Sequence, residues 1–128
     1  MVALSNLYDT VLAYLSTNWA IAGETDPKFM NYKKVNTDTL TNNAVGIEIL
    51  VEDNDINTLS EIQSVDTPFT LHCMCLSEAL RDKYVIEIKR LMKAQRAIVG
   101  WWKVTSVIWD DDRNYSYCQV RCKEIKLE

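Results

Sequence analysis

An abrupt change of hydrophobic period near residue 77 restricts the possible folds more than any other feature of the sequence. Residues 69–76 alternate between an apolar and a mixed side, which is the period of a β-strand. From Ser77, a natural N-cap, apolar residues recur every three or four positions and predict an amphipathic helix over residues 77–97. The apolar stripe of that helix is Leu80, Tyr84, Ile88, Leu91 and Met92. A strand that leads directly into such a helix indicates a helix packed on a sheet.

The same two periods assign the other regular elements. Apolar residues at helical spacing predict a helix over residues 4–19, and strict alternation over residues 45–52 predicts a strand. Two further strands, 101–109 and 115–123, flank a polar turn at residues 110–114 and form a hairpin. The order α-β-β-α-β-β predicts an α+β fold, in which a four-stranded, mostly antiparallel sheet carries two helices on one face.

The length of the chain and its polar segments define the expected domain organisation. A chain of 128 residues is the length of one domain, so we predict a single α+β domain over residues 1–128. Residues 20–44 and 53–67 lack a period and are predicted to be long irregular segments, which in other proteins are often functional. No apolar run approaches the roughly 20 residues of a membrane span, and the N-terminus does not resemble a signal peptide. We therefore expect a soluble protein without a membrane partner.

The charges are unevenly distributed along the chain. Residues 1–74 hold ten acidic and three basic residues, whereas residues 75–128 hold eight acidic and eleven basic residues. Opposite fields on two parts of one domain favour head-to-tail contacts between copies, because unlike surfaces then meet. A net charge of −4 argues against a dedicated nucleic-acid binder, which is usually basic overall. A solvated surface without a role is the alternative explanation of this asymmetry.

The four cysteines do not have the spacing of a zinc site. Cys73 and Cys75 are separated by one residue and Cys118 and Cys122 by three, whereas zinc ribbons and fingers use CxxC pairs. Even spacing on a strand places each pair on one face, and that face is apolar. We predict four reduced, mostly buried thiols that pack as small hydrophobic groups, with a metal site or an inter-strand disulfide as the alternatives.

Neither the single histidine nor the acidic hairpin turn forms a recognisable catalytic or metal motif. His72 lies on the strand face opposite Cys73, so the two cannot form a nucleophilic pair, and we expect an exposed or interface histidine. Asp110, Asp112 and Asn114 have the spacing of the first ligands in a calcium loop, but the glycine and distal glutamate of that loop are missing. We predict a polar turn, and neither a metal nor another cofactor.

An acidic-x-Lys pattern raises one enzymatic alternative. Several metal-dependent nucleases use such a pair on a strand with an upstream acid, and Asp66, Glu87 and Lys89 match that pattern here. The surrounding residues are predicted to be helical, however, and positions 87 and 89 of a helix lie about 200° apart. A helix over residues 84–89 therefore removes the geometry that this alternative needs.

Several large apolar residues of the last hairpin and the second helix lack a predicted place in the core. Trp101 and Trp102 are adjacent on a strand, so one of them faces away from the core. One assignment points three residues inward: Trp102, Val104 and Ile108. Trp101, Val107 and Trp109 then point outward, and Ile86 falls off the apolar stripe of its helix. Clustered exposed apolar groups mark protein–protein surfaces, and a second layer over that sheet face is the alternative.

This layout resembles the tail-terminator and tail-completion proteins of tailed phages and tailed archaeal viruses. The resemblance covers most of the chain and rests on the order of five features. The first three are the N-terminal helix, the irregular segment and the strand at Val45-Gly46-Ile47-Glu48-Ile49. The strand Phe69–Cys75, which leads into a Ser-capped helix, and the final hairpin follow. It implies a non-enzymatic virion subunit, assembled in the host cytoplasm, that forms a hexameric ring. Such a ring ends the tail tube and joins it to the head, so the implied partners are copies of the chain and the tail-tube and head-connector proteins.

We expect the ring contact to use both aromatic and acidic groups. The predicted interface residues are Trp101, Trp109, Ile86, Glu48, Asp53 and Asp55. Acidic groups would also face the lumen, where repulsion lets DNA pass without specific binding. A plain adaptor domain that binds one partner is a further possibility.

Overall fold

A computed structural model describes residues 4–35, 42–49, 64–94, 101–110 and 115–127. These residues form two α-helices, five strands and one short 3-10 turn. The elements are α1 (Leu4–Asn18), β1 (Lys28–Asn31), the 3-10 turn (Tyr32–Lys34), β2 (Ala44–Ile49), β3 (Ser64–Cys75), α2 (Glu78–Ala94), β4 (Trp101–Asp110) and β5 (Ser116–Leu127). Neither described helix is long and apolar enough to cross a membrane.

The fold is α+β, as predicted, but its sheet has five strands rather than four. The strand order is β1-β2-β3-β5-β4, with β1 parallel to β2 and every other pair antiparallel. The additional strand, β1, lies inside residues 20–44, which were expected to be irregular. Four residues are too few to show a recognisable alternation, and β1 gains its structure by pairing with β2.

β3 is also longer than the sequence indicated, because it begins at Ser64 rather than at Pro68. Residues 64–67 of the supposedly irregular segment 53–67 therefore belong to a strand, and residues 53–63 lie outside the described part of the chain. A central strand excludes proline because it needs hydrogen bonds on both edges. Pro68 lies opposite Lys123 of β5, and the described pairing of β3 with β2 begins one residue later, at Phe69.

Both helices pack against one face of the sheet, which we call the helix face. Leu7, Val11 and Leu15 of α1 are buried there. The apolar stripe that predicted α2 is buried there as well. Residues from four strands complete this core: Val45, Ile47, Phe69, Leu71, Cys73, Cys75, Trp102, Cys118, Val120 and Cys122. Ser77 caps α2 by accepting a hydrogen bond from the Leu80 backbone N–H at 3.2 Å.

An irregularity in β4 changes which of its residues face the helices. The pairing of β4 with β5 shifts between Val104 and Ser106, so that one extra residue is accommodated. Beyond the shift, Val107 lies opposite Val120 and faces the helices, whereas Ile108 is turned to the other face. The expectation that Ile108 points inward and Val107 outward is therefore wrong, because it assumed unbroken alternation. Trp102 is buried on the helix face, as predicted.

Candidate functional site

The second face of the sheet, the open face, contains a buried polar network centred on His72. The His72 side chain is only 5 % exposed, its Nε2 lies 2.9 Å from Glu48 Oε1, and its Nδ1 lies 2.5 Å from Tyr117 Oη. An ionised carboxylate only accepts hydrogen bonds, so Nε2 of a neutral imidazole donates to Glu48 and Nδ1 accepts from the Tyr117 hydroxyl. The expectation of an exposed histidine is wrong.

Tyr32 is the residue that covers His72. The two rings are stacked with their centroids 3.5 Å apart and their planes inclined by 6°. Gly46 makes this approach possible: it pairs with His72 in the sheet, and a Cβ at Gly46 would lie 2.9 Å from Tyr32 Cδ1. Asn31 starts the 3-10 turn that holds Tyr32, because its Oδ1 accepts from the Lys33 backbone N–H at 3.0 Å.

The histidine network, defined as Glu48, His72, Tyr117 and the covering Tyr32, links the 3-10 turn to β2, β3 and β5. Tyr117 and His72 are both buried, so the hydroxyl and the imidazole are closed to a substrate. Glu48 keeps part of its surface in solvent and was expected at an interface, but its carboxylate binds His72. Fully satisfied polar groups of this kind position neighbouring strands, because each bond fixes a direction as well as a distance.

The four cysteines are buried on the helix face with free thiols, which confirms their predicted burial. Cys73 lies directly opposite Cys118 on the adjacent strand, and the hydrogen bond between the two thiols raises the pKa of Cys73 and lowers that of Cys118. Burial raises the pKa of Cys75 and of Cys122 to about 12. In the part of the chain that the structure describes, no group of three or more His, Cys, Asp or Glu residues is arranged to hold a metal ion.

Glu87 connects the two helices. Its Oε2 accepts from the Ala20 backbone N–H at 2.7 Å and from Arg90 Nη2 at 2.7 Å. Arg90 Nη2 also donates to the Asn18 carbonyl at 3.1 Å, so the pair holds the end of α1 against α2. The hydrogen bond from Arg90 lowers the pKa of Glu87, and burial opposes this effect only in part.

The residues of the nuclease alternative are not brought together. Residues 84–89 are helical, as expected, and Glu87 is buried at α1 while Lys89 is exposed on another side of α2. Asp66 belongs to β3, opposite Ile125 of β5. This arrangement supplies no support for a nuclease centre built from Asp66, Glu87 and Lys89.

An exposed surface lies where α2 runs beside β4, the edge strand of the described sheet; we call it the β4 flank. It contains a groove of about 670 Å³. The groove is lined by Lys89, Met92, Lys93, Trp102, Lys103, Val104, Thr105, Ser106 and Val107. The lining combines apolar residues with three lysines, and none of the described lining residues is acidic.

Two of the predicted interface residues lie on the two elements that line this groove. Ile86 is 68 % exposed and lies three residues before Lys89, so both project from one side of α2. Trp109 is 48 % exposed, and the Arg81 guanidinium lies over its ring at 4.9 Å from the centroid. Trp109 is therefore exposed as expected, but it points to the helix face, opposite Cys118, because of the shift in β4.

The remaining predicted interface residues lie elsewhere or outside the description. Trp101 is the first residue of β4, and its side chain is not among those described. Asp53 and Asp55 fall outside the described residues, as do Asp112 and Asn114 of the hairpin turn. The sequence predicts part of the β4 flank through Ile86, because this apolar residue interrupts the polar side of an amphipathic helix.

Comparison with known proteins adds no family to this description. No protein-family model matches the chain, and a search of curated proteins finds no significant match.

Proposed function

We propose that the protein is a non-enzymatic structural subunit that assembles with copies of itself through the β4 flank. The observation that carries the proposal is the exposure of two large apolar side chains, Ile86 on α2 and Trp109 on β4, the two elements that also line the groove. Large apolar side chains that cluster at a surface are typical of protein–protein contacts, and aromatic residues supply much of the binding energy there.

The position of the β4 flank favours a ring over a closed pair. In the described sheet, β4 forms one edge and β1 the other, and the two edges differ in length and sequence. A contact between the flank and a different surface of the next copy is heterologous, and a heterologous contact closes into a ring when its rotation permits. The uneven distribution of charge along the chain favours such a contact between unlike surfaces.

The sites that were candidates for chemistry support a non-enzymatic role. His72 is enclosed by Tyr32, the thiols are buried among apolar side chains, and Glu87 is bound by Arg90. Each of these groups contributes to packing between elements. The groove of the β4 flank instead lies beside a strand, where a partner chain binds readily.

We further propose that the assembly is the ring of a viral head–tail junction, which ends the tail tube and joins it to the head. The support is the layout of a small α+β domain with an N-terminal helix and a final hairpin, which resembles tail-terminator proteins. The partners would be the tail-tube and head-connector proteins, DNA would pass through the lumen, and the protein would reside in the virion.

Sedimentation velocity over a range of protein concentrations, combined with negative-stain imaging, tests the proposal. We expect concentration-dependent association into rings, and we expect Ile86→Ala to weaken that association at least about tenfold. Leu76→Ala is the matched control, because Leu76 is also exposed but lies in the β3–α2 connection. A chain that stays monomeric at all concentrations, or equal effects of the two variants, would contradict assembly through the β4 flank.

A further inference from the structure

We propose that the lysine-lined groove of the β4 flank binds the acidic residues 50–63 of a second copy of this chain. This inference rests on the proposed self-assembly and names the two surfaces that meet. It follows from three observations: the charge of the groove, the unpaired edge of β4, and the distribution of acidic residues along the chain.

The lining of the groove combines apolar residues with three lysines, two from α2 and one from β4. Lys89 and Lys93 are four residues apart, so they project from one side of α2, and Lys103 approaches from β4. The described lining residues include no carboxylate that neutralises them within the groove. Such a surface attracts an acidic segment, and the apolar lining residues add affinity when the segment also carries apolar side chains.

β4 also offers backbone hydrogen bonds along its outer edge. In the described sheet it pairs with β5 alone, through nine of its ten residues, so its second edge has no partner strand in that sheet. An extended segment that lies along an edge strand satisfies the backbone N–H and C=O groups of that edge, and this is a general mode of peptide recognition. The groove therefore suits an extended acidic segment better than a compact surface.

The chain itself contains a segment with that chemistry. Between Lys34 and Arg81 there is no Lys or Arg, and four acids of this stretch fall within residues 50–63. They are Glu52, Asp53, Asp55 and Glu61. The same 14 residues include five aliphatic side chains: Leu50, Val51, Ile56, Leu59 and Ile62. A segment of 14 residues that is anchored at both ends extends at most about half of its contour length, roughly 23 Å at about 3.3 Å for each residue.

Cross-linking of a mixture of isotopically light and heavy full-length protein tests which chain supplies the acids. A carbodiimide joins a lysine directly to a carboxylate, so only groups in contact react. We expect cross-links from Lys89, Lys93 or Lys103 to residues 50–63, about half of them joining a light chain to a heavy one. Cross-links confined to chains of one label would show binding within one copy and would overturn the proposal.

Charge reversal provides the second test. We expect Lys89→Glu combined with Lys93→Glu to weaken self-association at least about tenfold. Adding Glu52→Lys and Asp53→Lys to the same chain should restore most of it, because the attraction is then reversed in sign but retained. The control is Lys33→Glu with Lys34→Glu, an exposed pair on the 3-10 turn.

The outcomes separate this inference from the proposed function. If the protein associates and Ile86→Ala weakens the association, but reversal at Lys89 and Lys93 has no effect, the groove is not the acceptor and self-assembly still stands. If the unmodified protein remains monomeric, both proposals fail. If reversal at Lys89 and Lys93 weakens the association but Glu52→Lys with Asp53→Lys does not restore it, the acidic partner of the groove lies outside residues 50–63 and the inference is overturned.

Discussion

The two faces of the sheet are buried by different means, although the same strands supply both. Cys73 and His72 are neighbours on β3, and both are almost fully inaccessible to solvent. On the helix face, Cys73 lies among apolar side chains from two helices. On the open face, the Tyr32 ring from a short turn stacks on His72, and Glu48 and Tyr117 bind its two ring nitrogens.

This difference determines which substitutions each face tolerates. Burial by apolar contact is non-directional, so the helix face accepts changes of polarity poorly but does not depend on any one hydrogen bond. Burial of a polar network depends on every donor and acceptor, because removing one leaves its partner unsatisfied. Two fully buried tyrosines, Tyr84 on the helix face and Tyr117 on the open face, offer the direct comparison.

The largest expected effect is a loss of stability in alkaline solution that originates on the helix face. Burial raises the pKa of Cys75 and Cys122 from 9.0 to about 12 and also raises that of Tyr84. A folded-state pKa above the unfolded value means that the stabilisation is complete below pH 9 and is lost as the pH rises towards 12. Each thiol then lowers the free energy of unfolding by about 1.4 kcal/mol for each pH unit.

Urea unfolding of the reduced protein between pH 8 and pH 11 measures this effect. Cys122→Ala should decrease the slope of stability against pH by about 1.4 kcal/mol per unit, whatever its effect on stability at pH 8. If the slope of stability against pH is the same in this variant as in the native protein, the pKa of the Cys122 thiol is not raised by burial on the helix face.

The next effect concerns the open face. Tyr117→Phe removes the hydroxyl that donates to His72 Nδ1 and leaves that nitrogen buried without its donor. We expect a decrease of about 1–3 kcal/mol in the free energy of unfolding at neutral pH. Tyr8→Phe serves as the control, because Tyr8 is a half-buried residue of α1 and its hydroxyl lies outside the network. A difference below about 0.5 kcal/mol between the two variants would argue that the network does not stabilise the fold.

A smaller effect is expected where Tyr32 covers the network. Alanine normally stabilises a strand relative to glycine, but a Cβ at Gly46 meets Tyr32 Cδ1 at 2.9 Å. We expect Gly46→Ala to cost about 1 kcal/mol in the native chain and to be neutral or stabilising in a Tyr32→Ala background. A double-mutant cycle in urea measures this coupling. Equal effects in both backgrounds would show that the contact with Tyr32 does not restrict position 46.

The sequence predicted the helix face well because periodic apolar spacing reports directly on burial against a layer. The strand that ends at Cys75 and the helix that Ser77 caps both follow from that spacing. The shift in β4 was missed because alternation was assumed to continue. The positions of β4 that face the helices are 102, 104, 107 and 109, and the step of three residues marks the irregularity. The sequence does not show this step, because Ile108 is apolar as well.

The open face was inaccessible to the same reasoning because its cover comes from elsewhere in the chain. Tyr32 lies in a segment without a period, and only the fold brings it to His72. Gly46 within an alternating strand was the one local sign of a close approach. Likewise, the partners of Glu87 on α1 depend on how two distant helices cross, which no short pattern records.

The smallest effect, and the sharpest test of the contrast between the faces, is Tyr84→Phe. Among the described residues the buried Tyr84 hydroxyl has no hydrogen-bond partner, while its ring packs edge-on against Trp19 with centroids 5.0 Å apart. Phenylalanine keeps the ring contact and removes the unsatisfied group, so we expect stability to be unchanged or to rise by up to about 1 kcal/mol. The sign is opposite to that expected for Tyr117→Phe, and urea unfolding of both variants under one set of conditions measures the difference. If Tyr84→Phe destabilises as much as Tyr117→Phe, the helix face also depends on a directional bond, and burial by apolar contact alone does not explain it.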